Sequence, residues 1–326
     1  MATSSEIERI AQLWDKTARD RVANPIQGWL DSPIVLENYV QPRVSGSPAV
    51  NWLVGTVDRF QIPRGGAWVS LGCGAAGQEI HAARAGLFGS LLALDASEAS
   101  LEQARKDAAA QGVTNIEFGS VDLNRVSLRP ESFDVVLMNM SLHHVRRLPE
   151  ILDEILRALR PDGFFLINEF IGPRQFQFTD LQIELVAELL ELLPASWRRD
   201  VTSGEIKSTY QRMPVEHWNV ADPSEAIRSD RIVPEIERRF AIVARLDYGG
   251  TLLNLLLEHI IHNFDPGNEK DVAAIRLLAK CEELLVRHGV IGSDFTVMVM
   301  RKPGRLWQKV RGLHPFSKRS KQRIPP

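Results

Sequence analysis

The chain has 326 residues, 44% hydrophobic and 25% charged, which suits a folded globular domain and excludes fibrous and low-complexity classes. Two cysteines, Cys73 and Cys281, exclude a disulfide scaffold, the N-terminus alternates charge with apolar residues unlike a signal peptide, and no apolar run approaches the roughly 20 residues of a membrane span, so the cytoplasm is the expected compartment. The net charge of −2 includes nine Lys/Arg and no Asp/Glu in the last 26 residues, leaving −11 on the first 300 and arguing against nucleic acid as a partner of the body.

Residues 1–60 read as a helical N-terminal lid, with Ile7, Ile10, Ala11 and Trp14 at helical spacing, a Pro/Gly/Ser-rich loop over Gln41–Pro48 and a second helix over 49–60. From 67 to 168 short apolar runs alternate with helical stretches. The runs AWVSL (67–71), LLALD (91–95), IEFGSVD (116–122), DVVLMNM (134–140) and GFFLINE (163–169) are apolar on both faces, as parallel strands covered by helices must be. The clearest helices are 98–110, with Ser97 placed as N-cap and Glu98 in the first turn, and 148–159. Pro161, Asp162 and Gly163 break the chain before the fifth strand. The pattern predicts a doubly wound, mainly parallel α/β sheet, with a Rossmann-like core at 61–170. Residues 171–239 form an insertion with a helix at 181–193, placed to cap the carboxyl ends of the strands. Two further strands, 240–248 and 294–302, flank a helical segment at 251–289 and complete seven strands within 240–303. In the basic tail, 304–326, Leu306, Trp307, Val310, Leu313 and Phe316 recur at helical spacing. That is the pattern of an interfacial helix in peripheral contact with the inner face of a membrane, or of a solvated tail.

The chemistry is signalled by Leu71-Gly72-Cys73-Gly74-Ala75-Ala76-Gly77, which follows the first strand and opens a helix. Glycines there permit a tight turn and let a ligand approach the backbone beside the positive end of the helix. Asp95 ends the second strand, 18 residues after Gly77, where a carboxylate can accept hydrogen bonds from both ribose hydroxyls of an adenosine. Gly72, Gly74 and Gly77 also satisfy G-x-G-x-x-G, so this motif alone fits a nicotinamide dinucleotide as well as other adenosine ligands.

LGCG, LALD, SVDL, FDVVLMNMSLHHV and LRALRPDGFFLINE, in this order over 66–170, resemble the successive motifs of class I S-adenosylmethionine (SAM)-dependent methyltransferases. The resemblance implies SAM as cofactor and an antiparallel last strand. It implies that Gly72, Cys73, Gly74 and Gly77 cradle the methionine part, Asp95 and Ala96 hold the ribose, and Asp122 and Leu123 hold the adenine, with Asn139 completing the pocket. The family often has an acidic residue where this chain has Ser70, so the methionine ammonium needs another partner, for which Glu79 and backbone carbonyls are the candidates. Three stretches, GWLDSP (28–33), NEFIGPRQFQ (168–177) and DYGGTLLNLLLEHIIHNFD (247–265), are similar to methyltransferases linked to bacterial surface-polysaccharide gene clusters.

A hydroxyl acceptor must lose a proton as it takes a methyl group, and histidine suits a general base at neutral pH. His143 and His144 follow the fourth strand and Glu169 ends the fifth, on the edge where ligands bind such sheets. One histidine, His143 preferred, would be the base and Glu169 would orient it. His259 and His262 lie three apart on a predicted helix beside Glu258, but without a third ligand no metal is assigned. Arg174, Tyr210, His217 and Arg228 are candidates for gripping a polar or anionic acceptor. The reading is a SAM-dependent O-methyltransferase acting on a small-molecule or glycan acceptor. N- or C-methylation, an NAD(P)-dependent oxidoreductase and a non-catalytic SAM-binding protein are the alternatives.

Overall fold

The computed structural model describes residues 12–16 and 28–303, so the predicted residues Ile7, Ile10 and Ala11 and the whole 304–326 tail lie outside the described residues. Residues 12–16 form a helical turn. Residues 29–44 then wind as short helical pieces, including a π turn at Leu36–Val40. Pro42 in the following turn has no N–H to donate, and the wider π turn just before it accommodates that loss. Half of the predicted loop at Gln41–Pro48 is therefore helical, at Gln41–Val44.

The regular elements follow in chain order: α1 (Trp52–Arg59), β1 (Ala67–Leu71), α2 (Gly77–Arg84), β2 (Ser90–Asp95), α3 (Glu98–Ala110), β3 (Ile116–Ser120), β4 (Phe133–Asn139), α4 (Leu148–Ala158), β5 (Leu159–Phe170), α5 (Asp180–Glu191), α6 (Val215–Ala221), α7 (Ile232–Arg239), β6 (Ala241–Gly249), α8 (Glu269–Arg287) and β7 (Phe295–Arg301). The seven strands form one sheet in the order β3-β2-β1-β4-β5-β7-β6. β1 to β5 pair in parallel, whereas β7 runs antiparallel to both β5 and β6. Alternate residues of the central strands enter two separate cores. Val135, Leu137, Phe164 and Leu166 pack on one face with Trp68 and Tyr248, and Val136, Met138, Phe165 and Ile167 pack on the other with α4 and α7. This two-sided burial is why these strands read as unbroken apolar runs.

Two predicted boundaries differ. β5 begins at Leu159 rather than at Gly163, because its pairing with β4 steps from Phe133↔Leu159 to Val135↔Phe164 and lets the Pro161–Gly163 segment bulge out. The predicted helix over 251–289 is interrupted: it comprises helical turns at Leu253–Leu257 and Ile261–Asn263, then α8. His259, with φ of 61°, sits in the break, so His259 and His262 do not share a helical face. His262 Nε2 instead lies 2.9 Å from the His259 carbonyl oxygen. No helix among the described residues is long and apolar enough to cross a membrane.

The fully buried carboxyl of Glu282 on α8 ties the N-terminal segment to the turn after β6. It accepts from the backbone N–H of Gly250 (2.7 Å), Leu252 (2.6 Å) and Leu253 (2.9 Å), and from the Tyr39 hydroxyl. Gly249, at φ +89°, cannot carry a side chain, since a Cβ would stand 2.0 Å from the Tyr39 hydroxyl. Gly250 abuts Trp29 and Phe295 in the same way. The stretches 28–33 and 247–265 are thus neighbours in space. Glu282→Ala strands three N–H groups and a hydroxyl and is expected to cost about 3–6 kcal/mol in urea unfolding. Glu283→Ala removes only partly exposed ion pairs to Arg43, Lys280 and Arg287 and is expected to cost less than about 1 kcal/mol. Equal losses in the two variants would remove Glu282 from this role.

Candidate active site

The carboxyl ends of β1, β2, β4 and β5 open on one continuous cleft of about 2270 Å³, lined by Gly72, Asp95, Asp122, His143 and Phe170 among others. Its floor is the turn after β1. Gly72 N–H and Cys73 N–H both donate to the Leu94 carbonyl, at 2.7 and 3.1 Å, and dock the turn on β2. Gly72 has φ +77° and lies so close to Ser141 that a Cβ would sit 2.4 Å from the serine Cβ. A Cβ on Gly74 (φ +53°) or Gly77 would meet nothing within 4 Å, so both open on space a ligand can fill.

Asp95 is aimed by the backbone: Gly74 N–H donates to Oδ2 (2.7 Å) and Ser97 N–H to Oδ1 (2.8 Å). Each oxygen keeps acceptor capacity, as a pair of ribose hydroxyls requires. Burial raises the Asp95 carboxyl above its ordinary range, against the pull of these N–H groups. Ser97 caps α3 through Ser100 N–H, as the sequence predicts, and its hydroxyl donates to Asp15 Oδ1 at 2.6 Å. Ala96, Cys73 and Leu123 line the same end of the cleft. Asp122 Oδ1 accepts from the N–H and the side-chain amide of Asn124 (2.9 and 3.1 Å), whereas the buried Oδ2 has no hydrogen-bond partner and stands 3.8 Å from Arg125 Nε. A buried acceptor without a donor in a cleft wall fits an exocyclic amine. Asn139 Oδ1 accepts from Asn168 Nδ2 (3.0 Å), and Asn168 Oδ1 accepts from the Tyr248 hydroxyl (2.8 Å), so the far end of this relay reaches the cleft at Asn139. Behind the glycine turn, the Ser70 hydroxyl donates to Glu79 Oε1 at 2.6 Å, so a carboxyl stands beside the position where the family often has an acidic residue. Burial drives the Glu79 pKa up to about 7, with the Ser70 hydroxyl opposing it.

At the acceptor end, Glu169 Oε2 accepts from Ser141 N–H (3.0 Å) and Leu142 N–H (2.7 Å), and Oε1 from Phe170 N–H (2.7 Å). Oε1 also bonds His143 Nδ1. His143 Nε2 faces Glu225 Oε1 at 3.5 Å. Burial pulls the His143 pKa down, but Glu169 and then Glu225 outweigh it and push it up to about 10. Carboxyls at both ring nitrogens favour positive charge at this position, and His143 is then a weaker base than the sequence predicts. His144 lies beside it, tilted by 41° at 4.1 Å between ring centroids, meets Ser224 Oγ at 3.4 Å from Nδ1, and packs edge-on against Trp14 at 4.5 Å. Desolvation raises the Glu225 carboxyl, but the imidazoles, His144 foremost, hold it below its ordinary range.

Glu225, Ser224 and Asp222 are site residues that sequence reasoning missed. They arrive from the insertion as Asp222-Pro223-Ser224-Glu225, which reads only as a turn signal. Of the four insertion residues singled out from the sequence, Arg228 lines the cleft. Tyr210 packs on Phe178 (5.4 Å) and His217 on Trp218 (5.2 Å) instead. Gly72→Ala is expected to destabilise the fold by about 2–4 kcal/mol through its left-handed backbone and the Ser141 clash, whereas Gly77→Ala leaves Tm unchanged. Thermal melts of the two variants check this, and equal Tm values would contradict it. Glu79→Gln is expected to stabilise the unliganded chain by up to about 3 kcal/mol above pH 7. The folded pKa is raised, so ionised Glu79 penalises folding as pH rises from 4.5 to about 7, and the gain must fade below pH 4.5. Urea unfolding at pH 5 and pH 8 measures it.

Residues 69–167, which take in the glycine turn, Asp95, Asp122 and both histidines, match the family model of the methyltransferase domain. A demethylmenaquinone methyltransferase of Clavibacter sepedonicus is 36% identical over 83 residues, 26% of this chain and 33% of that protein. A 2-phytyl-1,4-naphtoquinone methyltransferase of Thermosynechococcus vestitus is 30% identical over 137 residues, 40% of this chain and 60% of that protein. The chain thus spans from one third to three fifths of the length of these relatives. Geranyl diphosphate C-methyltransferase from Streptomyces coelicolor A3(2), solved with Mg2+, geranyl diphosphate and S-adenosyl-L-homocysteine, has a TM-score of 0.52 at 12% identity, covering 93% of this chain and 99% of that one, a likeness of fold. Residues 69–167 thus match a methyltransferase domain, and the antiparallel β7 beside β5 agrees with the fold shared with the geranyl diphosphate C-methyltransferase.

Proposed function

We propose that the protein transfers the methyl group of SAM to a small acceptor whose reacting hydroxyl meets the side chains of His143, His144 and Glu225. The observation that carries this reading is the single cleft that joins the glycine turn, Asp95 and Asp122 to that cluster. Methyl transfer is an in-line displacement in which the sulfonium loses its charge, so alignment and exclusion of water supply most of the catalysis. The adenosine half is held by Asp95 and Asp122, and the methionine ammonium by Glu79. Binding of that ammonium relieves the buried carboxyl of Glu79 of its missing countercharge. The insertion at 171–239 and the turn at 12–16 cover the acceptor, through Glu225 and Trp14 respectively.

Trp14, Trp29, Phe170, Phe176 and Phe295 also line the cleft. These aromatic walls favour an acceptor with a flat apolar face over a strongly hydrated glycan. The same cluster serves a second reading, favoured by the aromatic walls and by the quinone methyltransferases among the relatives. Removing a proton from a ring hydroxyl makes the adjacent ring carbon nucleophilic, so the methyl group can reach carbon instead of oxygen.

The test supplies methyl-labelled SAM with 1,4-dihydroxynaphthalene, catechol and a nucleotide sugar, follows S-adenosylhomocysteine release, and identifies the labelled product by NMR. A methoxy signal supports O-methylation and a ring-methyl signal the second reading. Turnover confined to the nucleotide sugar would overturn the aromatic-acceptor reading. Asp95→Ala is expected to weaken S-adenosylhomocysteine binding about 10- to 150-fold, the loss of charge-assisted ribose contacts worth about 1.5–3 kcal/mol. Unchanged affinity would remove Asp95 from the cofactor site.

A further inference from the structure

We propose that His143 Nε2, His144 and the Glu225 carboxylate form a binding site for one divalent transition-metal ion of the zinc class, open to the acceptor end of the cleft. One ligand atom from each of the three side chains lies within 4.8 Å of the others. The Nε2 to Oε1 separation of 3.5 Å is longer than the hydrogen bonds of about 2.7–3.2 Å that a proton bridge would form. It matches the edge of about 3.4 Å of a tetrahedral site with metal–ligand bonds of about 2.1 Å, whereas an octahedral edge would be about 3.0 Å. His143 is backed as a metal ligand should be: its Nδ1 is engaged by Glu169, which fixes the ring and leaves Nε2 to point at the site. Charge favours a cation too. Glu169, Glu225 and Asp222 gather around two imidazoles, with Asp222 Oδ1 holding Ser224 through its N–H (2.8 Å) and hydroxyl (2.6 Å). Two imidazoles and one carboxylate suit zinc and its neighbours better than magnesium or calcium.

The site deepens the proposed function and rests on it. With three protein ligands, the fourth position faces the cleft, where an acceptor hydroxyl can bind and lose its proton to solvent at lower pH than in water. The oxygen then forms its bond to the methyl carbon as the carbon–sulfur bond breaks, its electron pair returning to sulfur. No redox change is involved.

The test uses the full-length, chelator-stripped protein and Zn2+ alone, in competition with a chromophoric chelator, with Co2+ as spectroscopic probe. One tight Zn2+ site is expected, together with the intense visible absorption of tetrahedral Co2+. Glu225→Gln and His144→Ala should each weaken Zn2+ at least about 10-fold while S-adenosylhomocysteine affinity, measured separately, stays within about twofold. Absence of a stoichiometric site, a weak octahedral Co2+ spectrum, or affinity unchanged in both variants would overturn the proposal. Failure of the wild type to bind S-adenosylhomocysteine would instead defeat the proposed function, whatever the metal does.

Discussion

The carboxyl of Glu169 is the constraint on which the rest of the site depends. β4 and β5 are neighbouring parallel strands in register at Asn139↔Asn168, so the next residue of β5 lies beside the turn that leaves β4. Glu169 there accepts from two N–H groups of that turn, from Phe170 N–H and from His143. Buried backbone donors left unpaired are costly, so the turn has one favourable position. The same turn supports the glycine turn after β1: the Ser141 hydroxyl donates to the Leu71 carbonyl at 2.7 Å, and its Cβ occupies the space that a side chain on Gly72 would need. One buried carboxyl therefore couples the position of the glycine turn to the direction of His143, and the two ends of the cleft are fixed relative to each other.

Two carboxyl groups lining the cleft have few hydrogen-bond partners within the chain. Asp122 Oδ2 has no donor, and Glu79 is a buried carboxyl with the Ser70 hydroxyl as its side-chain partner. Stable cores avoid such groups, and two in one cleft fit a binding site for a ligand rich in donors and positive charge. The contrast with Glu282 is instructive. That carboxyl is equally buried, but it accepts four hydrogen bonds, so its role is to hold the 36–40 turn at Tyr39 against residues 250–253.

What the sequence made legible is what local physics decides. β1 at 67–71 and α3 at 98–110 have the predicted bounds, because two-sided burial and a serine N-cap act within a few residues. The glycine turn and Asp95 were legible because close backbone approach demands those residue types at that spacing. Contacts between distant segments were not. Glu225 meets His143 from 82 positions away, and Tyr39 meets Glu282 across 243, with no periodicity or motif to announce either pairing. The Pro161–Gly163 segment reads locally as a break, yet β4 recruits Leu159 before it, because a bulge lets the strand resume in register. His259 and His262 fit a helical spacing that the left-handed His259 backbone interrupts.

If the cleft takes the adenosine of SAM rather than that of a dinucleotide, the chain must separate the two ligands in solution. Calorimetric titration of the purified protein with S-adenosylhomocysteine and, separately, with NAD+ tests it most directly. One S-adenosylhomocysteine per chain and no saturable heat from NAD+ are expected. Stoichiometric NAD+ binding with none of S-adenosylhomocysteine would contradict it.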